Sequence, residues 1–478
     1  MTADAFALAL PIVAPLGAAL LAFLLPRLAF AAALASCLAS LGATLQLALA
    51  LDGTAALLQV VGGWDAPLGI RLVADGLAVA MLGLLAVLSL AITLHARAYF
   101  DRDTALHYWP LWLLLCAALA AAFLAADLFN LYVCLELITL AGVALTALEG
   151  KRRALRAALR YLLVSVLGSL LYLLGVALVY HAAGTVDLLL LDARNGAGAP
   201  LRLALGLMSL GLALKAALFP LHFWLPDAHG SAPAPVSAAL SALVVKAALL
   251  VQLRLWLQVA PAAVLGLEQG FALLGAAAVA WGSLQALRQP RMKLLIAYST
   301  VAQIGYFFLV VPLAGSGAAP WDAVVLLLLA HGLAKSALFL AAGNIMRRVG
   351  HDRIAELRGV LPRMPLTAGT IALAGVSLMG LPPSGGFVAK WLLLETALRA
   401  GDVLVVLVLL GGGLAAAAYL FRLLEQAFAD GAAVPALAPP SRHMEFVPLA
   451  LALAAALLGL VAGPLLALLL PGAIGGGA

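Results

Sequence analysis

Charged residues are scarce in this chain. They make up 10% of its 478 residues, while hydrophobic residues make up 65%; soluble domains carry about 25% charged residues. So little charge excludes a water-soluble fold of this size. Apolar runs of the ~20 residues that a membrane-spanning helix needs recur from end to end, and they lack the alternating pattern of a membrane β-barrel. The sequence therefore predicts an all-α integral membrane protein.

Cysteine is also rare, with three residues, Cys37, Cys116 and Cys134. All three fall in apolar runs, where a free thiol packs as a small hydrophobic group. No CxxC or CxxCH motif occurs, which removes the usual signals of iron–sulfur clusters and attached haem. We expect no cofactor and no metal. We also expect no nucleic-acid partner, because the net charge of +6 follows from basic loops on one face.

Fourteen apolar runs predict fourteen spans in a single membrane domain covering residues 1–478. No basic segment precedes the first run, so we expect a retained span and not a cleaved signal peptide. The predicted spans cover residues 5–25, 29–50, 73–96, 108–126, 127–148, 158–182, 203–225, 233–258, 262–286, 294–314, 321–346, 365–398, 403–424 and 445–470.

Two predicted spans are interrupted by proline. The seventh runs into FPLHFWLPDAHG and the twelfth contains GLPPSGGF. Broken helices in corresponding positions of two halves are typical of transporters built from inverted repeats. We therefore predict two five-helix repeats of opposite orientation, at about residues 108–258 and 262–424.

Basic residues divide unevenly between the predicted loops. Loops after odd-numbered spans carry 18 lysine and arginine residues, whereas loops after even-numbered spans carry Arg71, Arg194, Arg202 and Arg399. Cytoplasmic loops are rich in lysine and arginine. We therefore place the odd-numbered loops in the cytoplasm and both termini outside. The expected location is the inner (plasma) membrane of a bacterial cell, which the chain crosses many times.

Lysine and arginine occupy different places. Four of the six lysines lie inside predicted spans: Lys215, Lys246, Lys335 and Lys390. Arginine is almost confined to loops, apart from Arg254 near the end of a span, and we place Lys293 in a loop as well. Arginine stays charged under nearly all conditions, but a buried lysine can lose its proton. An ionisable residue inside a membrane indicates function, so the four lysines are candidate proton-holding positions.

Glu136 lies well inside the fifth predicted span, in DLFNLYVCLELITL, where a lone carboxylate is costly. Lys215, in LMSLGLALKAALFP, is the expected partner. An ion pair that forms and separates changes how tightly the lysine holds its proton, so a movable pair can load and unload one. The alternative is a fixed salt bridge that joins two helices.

The remaining lysines continue the series. Lys246, in VSAALSALVVKAALL, has no acidic residue on its own span; we expect a proton acceptor, and the alternative is a side chain that extends to the interface. His331 and Lys335 share one helix face, a combination suited to proton relay, although a lone histidine also serves packing. Lys390, in SGGFVAKWLLLE, ends the series.

Polar side chains lie between these positions. They form a stripe on the sixth span and another on the tenth: Tyr161, Ser165, Ser169, Tyr172; Ser299, Gln303, Tyr306. Such stripes hold either a water chain or helix–helix hydrogen bonds. His222, Asp227 and His229 follow the break in the seventh span and are a candidate proton entry on the cytoplasmic side. A metal site at these three residues is an alternative that their spacing does not specify.

Five segments resemble a known family over nearly the whole chain. They are DLFNLYVCLEL, KAALFPLHFWLPDAHGSAPAPVSAALSALVVKAALL, MKLLIAYSTVAQIGY, HGLAKSALFLAAG and GLPPSGGFVAKWLLLE. They resemble the antiporter-like, proton-conducting subunits shared by Mrp-type multisubunit cation/proton antiporters and respiratory complex I. The resemblance implies fourteen helices in two inverted five-helix repeats. It places the family's proton-translocating residues on Glu136, Lys215, Lys246, His331, Lys335 and Lys390.

The resemblance also bears on the subtype. Lys390 stands where the M-type component of complex I carries a glutamate, which argues against the M type. The L-type component of complex I and its A-type relative in Mrp antiporters carry long C-terminal extensions, whereas this chain stops soon after its fourteenth predicted span. That leaves the D-type subunit of Mrp antiporters and the N-type subunit of complex I. The segment GGWDAPLGIRLVADGLAVAML is more similar to the D type.

The resemblance thus implies a component of an Mrp-type antiporter that moves H⁺ along a Glu/Lys/His relay in exchange for Na⁺ or another monovalent cation. Its partners would be other membrane subunits and the lipid bilayer. We expect a secondary transporter component more than an enzyme in its own right. The alternative is the N-type proton-pumping subunit of NADH-quinone oxidoreductase or a related redox-driven complex. A scaffold with fixed ion pairs and a solute transporter are further alternatives.

Overall fold

The computed structural model describes residues 3–51, 54–67, 69–191, 199–259, 266–430 and 440–469, and nearly all of them are helical. Two antiparallel strands, β1 (Ala56–Val61) and β2 (Ile70–Asp75), form a hairpin that packs on one end of the bundle. The helices are α1 (Ala3–Leu24), α2 (Ala29–Ala50), α3 (Gly76–Tyr99), α4 (Arg102–Leu124), α5 (Leu128–Thr146), α6 (Arg152–Ala183), α7 (Ala199–Ala216), α8 (Leu225–Ser231), α9 (Ala234–Ala239), α10 (Val245–Arg254), α11 (Glu268–Arg288), α12 (Met292–Phe308), α13 (Ala319–Val349), α14 (Pro365–Met379), α15 (Gly385–Ala400), α16 (Val403–Phe428), α17 (Arg442–Leu457) and α18 (Ala462–Leu469).

Twelve helical segments of the described residues are long and apolar enough to cross a membrane. The predicted all-α membrane fold is confirmed, but the count of fourteen is not. The seventh and twelfth predicted spans account for the difference. Helix α7 ends nine residues before the seventh predicted span does, and the twelfth is divided into α14 and α15. Both interruptions stand where the prolines predicted them.

The two breaks share one local geometry. Helix α7 is followed by Ala217, whose φ is 59°, and α14 by Gly380, whose φ is 82°. Next, the Leu218 N–H donates to the Ala213 carbonyl and the Leu381 N–H to the Val376 carbonyl, each at 3.0 Å. This six-to-one bond with a left-handed residue is the Schellman ending of a helix. The left-handed conformation costs alanine about 1–2 kcal/mol that glycine avoids, so the surrounding packing must hold Ala217 in place.

The connecting segments meet at two separate ends of the bundle. At the end with the β-hairpin, which we call the hairpin end, the Ala126 N–H donates to the Arg71 carbonyl (3.2 Å) and the Leu128 N–H to the Val186 carbonyl (2.9 Å). Loops after the second, fourth and sixth predicted spans therefore lie together, as alternating crossings require. Arg194, counted among the basic residues of these loops, lies outside the described residues.

The opposite end, which we call the basic end, collects the loops after odd-numbered spans. Arg291 Nε donates to Asp352 Oδ1 at 2.8 Å, and Arg347 Nη1 donates to the Tyr99 carbonyl at 2.9 Å. One residue departs from its predicted place here. Lys293 lies in the first turn of α12 and is 2% exposed, so its assignment to a loop was wrong.

The helices differ widely in burial. The segment that contains α9 and α10 and the long helix α13 are enclosed along their apolar windows, whereas α2, α16 and α17 expose most of theirs. The enclosed helices carry Lys246, His331 and Lys335. These three candidate proton positions are therefore in the enclosed part of the bundle.

A buried ion pair ties the hairpin end to this centre. Arg254, at the end of α10, donates to both carboxylate oxygens of Asp75 at 2.8 and 3.0 Å. Asp75 also accepts the Ala78 N–H at 2.8 Å and so caps the start of α3. Losing one partner of such a pair costs about 3–5 kcal/mol. The pair fixes the end of the helix on which Lys246 lies.

Glycines bring α6 and α7 into close contact. A Cβ added to Gly168 of α6 would lie 2.8 Å from the Gly211 carbonyl oxygen, and one added to Gly211 would overlap the Gly168 carbonyl oxygen. Small residues of this kind allow helix backbones to approach in membranes. The contact matters for the site because Ser169 and Lys215 lie beside it, on α6 and α7.

Gly211→Ala is therefore expected to destabilise the protein by about 1–3 kcal/mol, the usual effect of overpacking. Gly206→Ala on the same helix is the matched control, because nothing lies within 4 Å of a Cβ added there. The measurement is the thermal unfolding midpoint in detergent. The midpoint should fall for Gly211→Ala and stay constant or rise for Gly206→Ala. Equal midpoints would show that the α6–α7 contact is not a tight one.

Candidate functional site

Glu136 and Lys215 form the predicted pair. Lys215 Nζ lies 3.2 Å from Glu136 Oε1 and donates to Thr139 Oγ1 at 2.9 Å. The Ser169 hydroxyl of α6 donates to the same Glu136 oxygen. The Lys215 side chain is 6% exposed and that of Glu136 25%. The pair is thus bounded by hydroxyl groups on two sides, and its carboxylate remains partly accessible.

Lys215 also benefits from its place in the helix. It lies in the last turn of α7, just before the left-handed residue Ala217. The C-terminal end of a helix carries a partial negative charge that favours a cation. The break in the seventh span therefore brings the ammonium group to a favourable position, which a continuous helix would not offer.

Lys246 is fully buried, and its ammonium group points inward. Its Nζ donates to the Ser241 carbonyl at 2.7 Å and lies 2.9 Å from His331 Nδ1. No carboxylate in the described part of the chain lies within 4.0 Å of it. With 0% of its surface exposed, the alternative of a side chain that extends to the interface is wrong.

A wide helical turn prepares this contact. Residues Leu240–Val244 form a π-helix, in which the Val245 N–H donates to the Leu240 carbonyl five residues earlier. Such turns occur in single pieces and often at functional sites. The altered turn leaves the Ser241 carbonyl to accept from the Lys246 side chain.

The Lys246–His331 contact can hold a proton in two ways. Either an ammonium donates to a neutral imidazole, or an imidazolium donates to a neutral amine. His331 Nε2 is buried and has no hydrogen-bond partner among the described residues. The shared proton therefore has an open side on which a water molecule can bind.

His331 and Lys335 share one helix face, as predicted, but their polar atoms contact different helices. Lys335 Nζ donates to the Ile296 carbonyl at 2.9 Å and to the Ser299 hydroxyl, both on α12. His331 instead contacts Lys246 in the span formed by α9 and α10. Helix α13 therefore connects two neighbours, one through the imidazole and one through the ammonium group.

Lys390 lies against the second helix break. Its Nζ donates to the Leu378 carbonyl at 2.8 Å and lies 3.4 Å from the Met379 carbonyl oxygen, in the last turn of α14. The same nitrogen lies 4.6 Å from the centre of the Tyr306 ring. Gln303 Nε2 also donates to the Leu378 carbonyl, at 3.3 Å. The polar stripe of α12 thus runs from the neighbourhood of Lys335 to that of Lys390.

A cavity of about 640 Å³ opens beside Lys390 between α15 and α16. Apart from the lysine its lining is apolar, with Phe387, Trp391, Leu409 and Phe421 among the side chains. An apolar lining is unlike that of a polar-solute pocket, which needs convergent polar groups.

The three candidate entry residues do not converge on one point. Asp227 pairs with Arg160 near the surface, and the His222 ring stacks on Phe219 with 5.4 Å between ring centres. His229 is buried, and neither of its ring nitrogens has a partner within the described residues. Those residues contain no group of three or more His, Cys, Asp or Glu side chains that could hold a metal ion.

Sequence reasoning missed two contributors. Lys293 is buried near the basic end, donates to the Ala232 carbonyl, and lies with Lys246 and Lys335 close enough to His229 for their charges to act on it. Thr139 contacts Lys215 directly. Lys293 stands one residue before the predicted start of the tenth span, so an earlier start would have placed it inside. Nothing in the sequence sets Thr139 apart from other threonines.

Comparison with known proteins identifies the family. Residues 125–415 match the family described as NADH:quinone oxidoreductase/Mrp antiporter, TM. The N-type subunit of NADH-quinone oxidoreductase from Desulforudis audaxviator is 37% identical over 81% of this chain and 81% of its own length. The D-type subunit of the Na⁺/H⁺ antiporter from Alkalihalophilus pseudofirmus is 28% identical over 80% of this chain and 78% of its own.

A solved structure gives the same result. A chain of the Mrp complex from a Dietzia species superposes with a TM-score of 0.89 at 27% identity, over 98% of this chain and 96% of that chain. The family match covers more than half of the residues, and the relative from Desulforudis audaxviator is more than 30% identical over four fifths of the chain. The chain belongs to the NADH:quinone oxidoreductase/Mrp antiporter family of membrane proteins.

Proposed function

We propose that this chain conducts protons within a multisubunit membrane complex, along Glu136, Lys215, Lys246, His331, Lys335 and Lys390. The observation that carries the proposal is the contact of 2.9 Å between Lys246 Nζ and His331 Nδ1. Two nitrogen bases this close inside the bundle hold one proton between them more readily than two, because two positive charges would repel. A purely structural contact would instead favour a lysine paired with a carboxylate.

In the first half of the proposed path, the Glu136–Lys215 pair acts as a switch. When Glu136 and Lys215 are paired, the carboxylate stabilises the ammonium group; when they separate, Lys215 releases its proton more easily. Thr139 and Ser169 offer each partner a hydroxyl group, which lowers the cost of separation. Moving one charge across 100 mV involves about 2.3 kcal/mol, an energy within the range of such a pair.

The second half is bridged by neutral groups. The Lys335 side chain donates to Ser299. Gln303 and Lys390 both donate to the Leu378 carbonyl. The Tyr306 ring lies under Lys390. Hydroxyl groups and water pass protons by accepting on one side and donating on the other. The stripe on α12 therefore serves as the support of a water chain between the two lysines.

The entry at the basic end involves His229, with His222 and Asp227 nearer the surface. His229 is supported as an entry residue because it is buried with both nitrogens unpaired in the described structure and lies near Lys293, Lys246 and Lys335. An imidazole near several lysines can take a proton from one nitrogen base and give it to another.

We further infer that the halves at about residues 108–258 and 262–424 are inverted repeats. The support is the matching pair of helix breaks, each with a left-handed residue followed by proline three positions later: Ala217 and Pro220, Gly380 and Pro383. The basic end faces the cytoplasm of a bacterial cell in this proposal, because its loops carry most of the lysine and arginine. Both termini then lie outside.

The complex is proposed to be an Mrp-type antiporter in which this chain has the role of the D-type subunit, with Na⁺ or another monovalent cation exchanged for H⁺. The superposition on the Mrp complex over 98% of the chain supports this. A second candidate is the N-type subunit of a redox-driven complex, favoured by the 37% identity to the N-type subunit of an NADH-quinone oxidoreductase. The proton chemistry within this chain is the same in both.

Lys246→Met should lower proton transport about tenfold or more, because methionine fills a similar volume without a proton-binding group. The complete complex, reconstituted in vesicles with a pH-sensitive dye, gives the rate. Lys151→Met is the control, since the Lys151 side chain is 73% exposed. The thermal midpoint should stay constant or rise, because burying a lysine opposes folding. Normal transport by Lys246→Met would contradict the relay.

Glu136→Gln should also reduce transport about tenfold or more while leaving assembly intact, because the amide still accepts from Ser169 but cannot bind or release a proton. Glu395→Gln is the matched control: Glu395 is a carboxylate near the surface, paired with Arg399 at 2.5 Å. If Glu136→Gln conducts protons as well as Glu395→Gln does, the pair is a fixed salt bridge and the scaffold alternative gains support.

The type of complex is decided by its composition. We expect that mild-detergent purification of the tagged chain, followed by mass spectrometry, will recover only other membrane subunits. Co-purification of flavin or iron–sulfur proteins would instead assign the chain to a redox-driven pump.

A further inference from the structure

Asp127 occupies an unusual position at the hairpin end. It precedes α5, and its Oδ1 accepts the Asn130 N–H at 2.6 Å, so it caps the helix. Its second oxygen, Oδ2, is buried and has no hydrogen-bond partner among the described residues. The whole residue is only 9% exposed. Capping explains one oxygen of this carboxylate but leaves the other without a partner.

The charged neighbours of Asp127 do not neutralise it. Asp187 lies opposite Asp127 in an antiparallel backbone bridge. The Arg71 guanidinium donates to the Asp187 carboxylate through two of its nitrogens. Asp187 also accepts the Leu189 N–H at 2.9 Å. Burial, and to a lesser extent the charge of Asp187, raise the pKa of Asp127 above the ordinary value of 3.8. Asp187 thus has partners of its own, and Asp127 is the carboxyl group that can take up a proton.

Polar groups continue inward from Asp127. Tyr172 of α6 is 0% exposed, and its hydroxyl has no partner in the described part of the chain. The charge of the Asp127 carboxylate acts on it. Cys134 Sγ lies 3.9 Å from Asn130 Oδ1. Buried polar atoms without a protein partner are usually satisfied by ordered water.

This series ends at the ion pair already described. Tyr172 lies three residues after Ser169, whose hydroxyl donates to Glu136. Asp127 and Glu136 are nine residues apart along α5, a rise of about 13 Å. That distance is too long for direct transfer and short enough for Tyr172 and a few water molecules to bridge.

We propose that Asp127, together with the Tyr172 hydroxyl, is a proton port that connects the aqueous phase at the hairpin end with Glu136. The inference rests on the proposed function and adds to it the surface position from which the Glu136–Lys215 pair exchanges protons. The Asp127 carboxylate takes a proton from water and becomes a neutral acid. It then gives that proton to the bridging water, and Glu136 accepts one from the inner end of the chain.

The test uses Asp127→Asn in the complete complex, reconstituted in vesicles. Asparagine caps helices as well as aspartate does, so α5 should stay intact, but it cannot carry a proton. Proton transport should fall about tenfold or more, and the dependence of the rate on pH at the hairpin end should flatten. Asp402→Asn is the matched control: Asp402 caps α16 at the same end, accepting the Val405 N–H at 3.0 Å.

The outcomes separate the port from the relay. Wild-type transport with an unchanged pH profile in Asp127→Asn, while Glu136→Gln is inactive, would overturn the port and leave the relay standing. Full activity of both variants would overturn the relay itself. If Asp127→Asn fails to assemble, Asp127→Glu decides, because it restores the carboxyl group: recovered transport supports the port, and assembly without transport overturns it.

Discussion

The structure depends on the need of a buried ammonium group for oxygen atoms. Hydrocarbon offers none, and in this bundle the backbone provides most of them. Lys246, Lys335 and Lys390 donate to the carbonyl oxygens of Ser241, Ile296 and Leu378. A carbonyl group solvates a cation without neutralising its charge, and it also tolerates the neutral amine. A fixed carboxylate partner would favour the charged form of a lysine, whereas a backbone environment accommodates both forms.

The irregular parts of the helices follow from the same need. In a regular helix every carbonyl oxygen already accepts an N–H from four residues later, although the Ile296 carbonyl inside α12 accepts from Lys335 as well. The π-helix before Lys246 and the end of α14 before Lys390 free carbonyl groups at the required points. Irregular backbone is tolerated inside a membrane only where protein or water surrounds it. The Lys246 side chain is fully buried, and Lys390 is 8% exposed beside the cavity.

Much of this could be predicted from the sequence, and the limits have physical reasons. Long apolar runs predicted the spans, and prolines predicted both helix breaks. The cost of a lone charge in lipid predicted a cationic partner for Glu136. The contact between Lys246 and His331 was not predicted, because the residues are 85 positions apart and neither pattern nor charge points to the other. Acceptor carbonyls carry no side-chain signal at all. Lys293 was missed because helix ends are uncertain by a few residues.

The Leu378 carbonyl oxygen bears on the order of steps in the proposed relay. A carbonyl oxygen has two lone pairs, and here Gln303 and Lys390 engage both. A water molecule that arrives from α12 must displace one of the two donors before it can bind. The amide cannot change its charge, whereas the ammonium group binds less strongly once it is deprotonated. In the proposed relay, a water molecule could therefore bind this oxygen only after one of the two donors has left, and the charge of Lys390 would control access to it.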